Sequence, residues 1–161
     1  MKKKIYYGLA VYDKKEIRAV NRVLTQNKLN LIDGPSVKLF EKKIASLFGK
    51  KYALMVNSGS SANLLGLAAL NLKKNSEVIT PTLTFSTTVA PIYQLGLIPS
   101  FVDVEMNKFI VDIKKIEKNI SKKTKAIMIP NLLGNIPNFK EIYKLAKRYN
   151  LKVIEDSADT I

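Results

Sequence analysis

The chain has 161 residues, 47% of them hydrophobic, with 27 Lys and Arg against 13 Asp and Glu and a formal net charge of +14. It contains no Cys and no His, which excludes disulfides, Cys/His zinc sites, cysteine nucleophiles and Ser-His-Asp triads among these residues. No apolar run reaches the ~18 to 20 residues of a membrane span, and the basic start Met1-Lys2-Lys3-Lys4 is not followed by the apolar segment of a secretory signal, so a cytoplasmic protein is expected.

In chain order, Asp13 is placed to cap a first helix in which Ile17, Val20 and Leu24 recur at helical spacing. The turn Asp33-Gly34-Pro35 leads into a second helix, with Pro35 suited to its first turn, Val37, Phe40, Ile44 and Leu47 on one face, and Gly49 at its end. Tyr52 to Val56 reads as a short buried strand, Ser58-Gly59-Ser60-Ser61 as a small-residue turn, and Ala62 to Leu70 as a deeply packed, nearly all-apolar helix. Strands are expected at Glu77 to Thr80, Ile98 to Val104, Ala126 to Ile129 and Leu151 to Ile154. Helices are expected at Phe85 to Leu95, kinked at Pro91, at Asp112 to Ile120, and after Asn138, with Phe139, Ile142, Leu145, Ala146 and Tyr149 inward.

Short buried strands alternating with helices specify an α/β domain with a mainly parallel sheet and helices on both faces. Ligands of such sheets sit beyond the carboxyl ends of the strands. That rule selects Asn57 to Ser61, Pro81 to Phe85, Pro130 to Asn135, and Glu155 to Asp159.

In the first of these, a helix N-terminus flanked by Ser60 and Ser61 would favour a phosphate; an ordinary N-cap reads the same way. Neither a P-loop nor GxGxxG is present, which disfavours ATP and NAD. Phe85, just after a strand, could stack on a planar ligand or join the core. Asp156, just past the apolar pair Val153-Ile154, needs a cationic or hydrogen-bonding partner to stay ionised. A protonated pyridine nitrogen would serve, as would a neighbouring Lys or Arg, or Mg²⁺. The positive charge is scattered over lysines from Lys14 to Lys123 without an aromatic-interleaved basic stripe. It therefore reads as solvated helix faces compatible with phosphate-bearing ligands. A non-enzymatic basic module that binds nucleic acid is the competing reading.

Together and in order, Gly34-Pro35-Ser36-Val37 through Phe40-Glu41, Asn57-Ser58-Gly59-Ser60-Ser61-Ala62-Asn63-Leu64, Glu77-Val78-Ile79-Thr80-Pro81 with Thr84-Phe85, Phe101-Val102-Asp103-Val104, Thr124-Lys125-Ala126-Ile127 and Val153-Ile154-Glu155-Asp156-Ser157 resemble the DegT/DnrJ/StrS family. The resemblance runs from about Gly8 to Ile161. It implies the partial large domain of a fold-type I enzyme dependent on pyridoxal 5'-phosphate (PLP). Residues 1–34 would be an N-terminal helical segment and residues 35–161 the partial PLP-binding domain.

The resemblance further implies that Ser60 and Ser61 bind the cofactor's phosphate, that Phe85 stacks on its ring, and that Asp156 pairs with the ring nitrogen. Asp159 stands where many family aminotransferases carry Gln or His near the phenolic oxygen, a departure from the pattern. The family's Schiff-base lysine lies downstream of the Asp motif. The chain is therefore expected to be a fragment ending before that lysine, without the C-terminal domain and inactive by itself.

The implied activity is an aminotransferase acting on a nucleotide-linked keto-sugar in polysaccharide or deoxyaminosugar biosynthesis, with glutamate as amino donor and a homodimer as the assembly; no nucleic acid or membrane partner is expected. Ser58 to Leu65, Thr87 to Ile92, Leu133-Gly134-Asn135 and Asp159 lean instead toward the subgroup of sugar-nucleotide 3-dehydrases, in which His replaces the lysine.

Overall fold

The computed structural model describes residue 6, residues 8–26 and residues 31–160. The basic start at Met1 to Lys4, and Ile161 at the end of the expected second domain, lie outside the described residues. The chain divides into two compact units, Met1–Met55 and Val56–Ile161. The boundary expected after residue 34 falls inside the first of them.

In the first unit, α1 spans Lys14–Gln26 and α2 spans Pro35–Leu47. A reciprocal cap starts α1: Asp13 Oδ1 accepts from the Lys15 N–H at 2.6 Å, and Glu16 Oε2 accepts from the Asp13 N–H at 2.7 Å. Pro35 opens α2, and Gly49, at φ +60°, closes it while the Lys50 N–H donates back to the Ala45 carbonyl at 2.8 Å. The strand expected at Tyr52 to Val56 is absent. An apolar run becomes a strand only with a ladder partner, and no described strand pairs with it. Tyr52 and Leu54 are 77% and 76% exposed, and the Met55 N–H donates to Glu41 Oε1 at 2.7 Å instead.

The second unit is α/β. Strands β1 (Glu77–Pro81), β2 (Ile98–Val102), β3 (Thr124–Pro130) and β4 (Lys152–Asp156) form a sheet in the order β2-β1-β3-β4, parallel throughout. Around it lie α3 (Gly59–Ala69), α4 (Ser86–Gln94), α5 (Ile113–Asn119) and α6 (Phe139–Arg148). Alternation along each strand splits the core in two. Ile79, Ile127 and Ile129 meet Ile116 of α5 and Ile142, Leu145 and Ala146 of α6. Val78, Ala126 and Met128 meet Leu67 of α3 and Ile92 of α4.

Helices therefore cover both faces, as the alternating pattern requires. Two details differ from expectation. Helix α3 buries only Asn63 and Leu67, with Leu65 48% exposed, because a helix lying on a sheet presents one stripe to it. Tyr149 is the C-cap of α6 and 41% exposed rather than inward.

From β1 the chain winds outward to β2, then returns to place β3 on the other side of β1. A reversal of this kind opens a crevice at the carboxyl ends of the two central strands.

Candidate functional site

Asp156 is the last residue of β4, opposite Pro130 in the ladder, and is half-buried. Its Oδ2 accepts from Asn63 Nδ2 and from Thr88 Oγ1, each at 2.8 Å. Its Oδ1 accepts from the Ala158 N–H at 3.2 Å. Thr84 Oγ1 donates to Thr88 Oγ1 at 2.9 Å, extending the chain of hydroxyls to the strand-to-helix turn. Among the described residues, no Lys or Arg pairs with Asp156 and no group of three or more acidic side chains gathers to hold a metal. Neutral hydrogen-bond donors are the partners that keep this carboxylate in place.

Ser60 and Ser61 lie in the first turn of α3 rather than in a turn before it. The first N–H groups of a helix lack helical acceptors. Here the Ser58 side chain takes the Ser61 N–H at 3.2 Å, an N-cap that also approaches Ser61 Oγ at 3.2 Å. The start of α3 sits beside the end of β4: a Cβ built on Gly59 would stand 3.9 Å from the Ala158 Cβ. Phe85 is the N-cap residue of α4, with extended backbone and a side chain 69% exposed.

Two cavities share Thr87 in their walls. One, of about 240 Å³, is lined by Ser60, Ser61, Leu64, Thr87 and Pro91 among others. The second, of about 70 Å³, is lined by Phe85, Thr87, Asn131, Asp156 and Asp159 among others. The five residues selected from the sequence thus fall into two neighbouring hollows: the serines in one, Phe85 and the two carboxylates in the next. Asn131 in the wall of the second is 4% exposed. Its Nδ2 donates to Ser157 Oγ at 3.1 Å, while its Oδ1 is buried with no partner, an acceptor suited to a donor from a ligand. Asp159 is engaged otherwise: its Oδ2 accepts from the Leu133 N–H at 2.8 Å, which holds Leu133 in the left-handed region at φ 53°.

Asn63, Thr84, Thr88 and Asn131 were not assigned a role from the sequence, although Thr84 and Asn131 lie in two of the selected loops. A further signal was present for Asn63. Asn63 interrupts the apolar helix Ala62 to Leu70, and a polar residue on a packed helix face needs a partner.

Residues 11–161 match the DegT/DnrJ/EryC1/StrS aminotransferase family. The chain belongs to that family. Among curated relatives of this DegT/DnrJ/EryC1/StrS chain is a GDP-4-keto-6-deoxy-D-mannose 3-dehydratase of Yersinia pseudotuberculosis, 39% identical over 158 residues, or 94% of this chain and 40% of the relative. Another is a dTDP-3-amino-3,6-dideoxy-alpha-D-galactopyranose transaminase of Aneurinibacillus thermoaerophilus, 39% identical over 147 residues, 91% of this chain and 40% of the relative. A solved GDP-4-keto-6-deoxymannose-3-dehydratase with a trapped PLP-glutamate geminal diamine superposes with a TM-score of 0.91 at 38% identity, over 98% of this chain and 42% of that one. The chain thus spans about two fifths of the length of the family members it matches.

Proposed function

We propose that this chain is the cofactor-binding part of a PLP-dependent enzyme acting on a nucleotide-linked keto-sugar in polysaccharide or deoxyaminosugar biosynthesis. One observation carries the reading. Asp156, Phe85 and Asn131, whose Oδ1 is buried without a partner, line one hollow, and the hydroxyl-bearing N-terminus of α3 lines a neighbouring one that shares Thr87. A ring with an N–H donor on one side and a phosphate on another matches that donor and acceptor set. In this reading Ser60, Ser61 and the start of α3 hold the phosphate, Phe85 covers one ring face, and Asp156 accepts the proton-bearing ring nitrogen. Asp159 lies in the wall of the same hollow and accepts from the Leu133 N–H. Bound PLP would supply an electron sink for negative charge at a carbon of the substrate. The protein residues contribute binding, orientation and an anion fixed beside the ring nitrogen.

Transamination with glutamate as donor is the first reading of the chemistry, in a cytoplasmic homodimer. Removal of the sugar's 3-hydroxyl is the second. It is favoured by the longer match to the Yersinia dehydratase, 158 residues against 147 for the transaminase, and by the dehydratase superposition at TM-score 0.91. Incubation of the protein encoded by the whole gene with PLP, glutamate and a GDP- or dTDP-linked 4-keto-6-deoxysugar separates the two. An amino sugar with stoichiometric 2-oxoglutarate supports transamination, whereas a 3-deoxy sugar supports the dehydratase. A protein that binds no PLP would sink both.

A further inference from the structure

Asp156 is held unequally: Oδ2 has two side-chain donors at 2.8 Å, whereas Oδ1 has a single backbone donor at 3.2 Å. The donors come from two different helices, and their hydrogens have no freedom to point elsewhere. Asn63 is 7% exposed, and its Nδ2 faces the Asp156 carboxylate and, at 3.2 Å, the Thr87 carbonyl. Both partners accept only, so they fix which end of the amide is nitrogen and use both of its hydrogens. Thr88, fully buried, has one hydroxyl hydrogen. The carboxylate takes it, so Thr88 accepts from Thr84 and the relay runs one way, from Thr84 to Thr88 to Asp156.

The Thr87 carbonyl is open to Asn63 for a reason written in the sequence. In a continuous helix the N–H four residues on would occupy it, but residue 91 is proline and has no N–H to give. The proline that looks ill-placed inside α4 thereby creates the acceptor that orients Asn63.

We propose that Asn63, set by Pro91, is a positioning residue for Asp156: it pins Oδ2 and leaves Oδ1 as the acceptor for the N–H of a bound pyridinium ring. The inference rests on the PLP reading above and adds the residues that aim its anchor. A purely structural tie between α3, α4 and β4 would use the same contacts but would not distinguish one ring atom from another.

The test uses that difference. Pyridoxamine 5'-phosphate, which has no aldehyde to react with surface lysines, and its 1-deaza analogue, in which C–H replaces the ring nitrogen, are titrated calorimetrically into the protein encoded by the whole gene. The wild type is expected to prefer the nitrogen-containing ligand by on the order of tenfold or more, the yield of one charge-assisted hydrogen bond. Asn63→Ala is expected to bring that preference to within about twofold of unity while leaving the affinity for the deaza analogue in place.

Pro91→Ala, which leaves the Asn63 and Asp156 side chains unchanged, is expected to lower the preference in the same direction. Thr88→Ser is expected to retain it and Thr88→Val to lose it. Equal weakening of both ligands in Asn63→Ala and Pro91→Ala, or an unchanged ratio in both, overturns the positioning role and leaves the PLP reading intact. A wild-type protein that binds neither ligand overturns the PLP reading, and the inference with it.

Discussion

At the scale of single residues, Tyr143 of α6 has its titration shifted by its surroundings. Burial and the hydrogen bond to Glu155 push the Tyr143 phenol up to about 12, from 10.0. The fold favours the protonated form, so this contribution to stability is complete below about pH 10 and is lost as pH rises through about 12. Urea midpoints across that window should fall more steeply for the wild type than for Tyr143→Phe, and parallel curves would show that the phenol does not contribute.

At the site, Asp156→Asn replaces an anion with an amide that cannot hold a ring proton. Turnover of the PLP-loaded, gene-encoded protein should drop roughly a hundredfold or more, the scale of removing one preorganised charged group. A near-normal rate would remove Asp156 from its assigned place. Asp156 was legible in the sequence because the carboxylates Glu155-Asp156 follow the apolar pair Val153-Ile154 at the carboxyl end of an expected strand. Asn63 and Thr88 were not, because their partner lies 93 and 68 positions away and a single long-range hydrogen bond leaves no periodic trace.

At the scale of elements, the central strands β1 and β3 were readable because burial on both faces demands continuous apolar runs, and the outer strands because short apolar runs alternate with helices. The same rule misread Tyr52 to Val56, where an apolar run has no described neighbour to pair with. It also overestimated the burial of α3, whose small residues fit both a core and an outer helix face. Asn138 caps α6 as expected, whereas α3 begins three residues before the expected Ala62, behind Ser58, and Asp112, expected as the first residue of its helix, is the N-cap of α5. Asp112 Oδ1 accepts from the N–H groups of Lys114 at 2.9 Å and Lys115 at 3.3 Å. Asp112→Ala should therefore cost about 1 kcal/mol in chemical denaturation. Ile142→Ala, from the fully buried face of α6, should cost about 2–5 kcal/mol. If the cap variant loses as much as the core variant, the two-layer packing described above is wrong.

At the scale of the whole molecule, β2 and β4 are the two outer strands of the sheet. Unpaired strand edges invite further pairing, and β2 adds Ile98 and Phe101, 41% and 43% exposed. Sedimentation of the chain at rising concentration should show association, despite the mutual repulsion of molecules at net charge +14. A sharp monomer over the micromolar range would argue that these edges are not adhesive.

The parallel topology has a consequence for how the molecule comes together. Every pair of adjacent strands is joined through a crossover, and the bonds that aim the acidic anchor close loops of 93 and 68 positions. Chain entropy opposes such distant closures, and folds dominated by them mature slowly. The proposed grip on a ring nitrogen would therefore be complete only after both halves of the sheet have met, so that capture of the small heterocycle should report the final stage of folding rather than an early one.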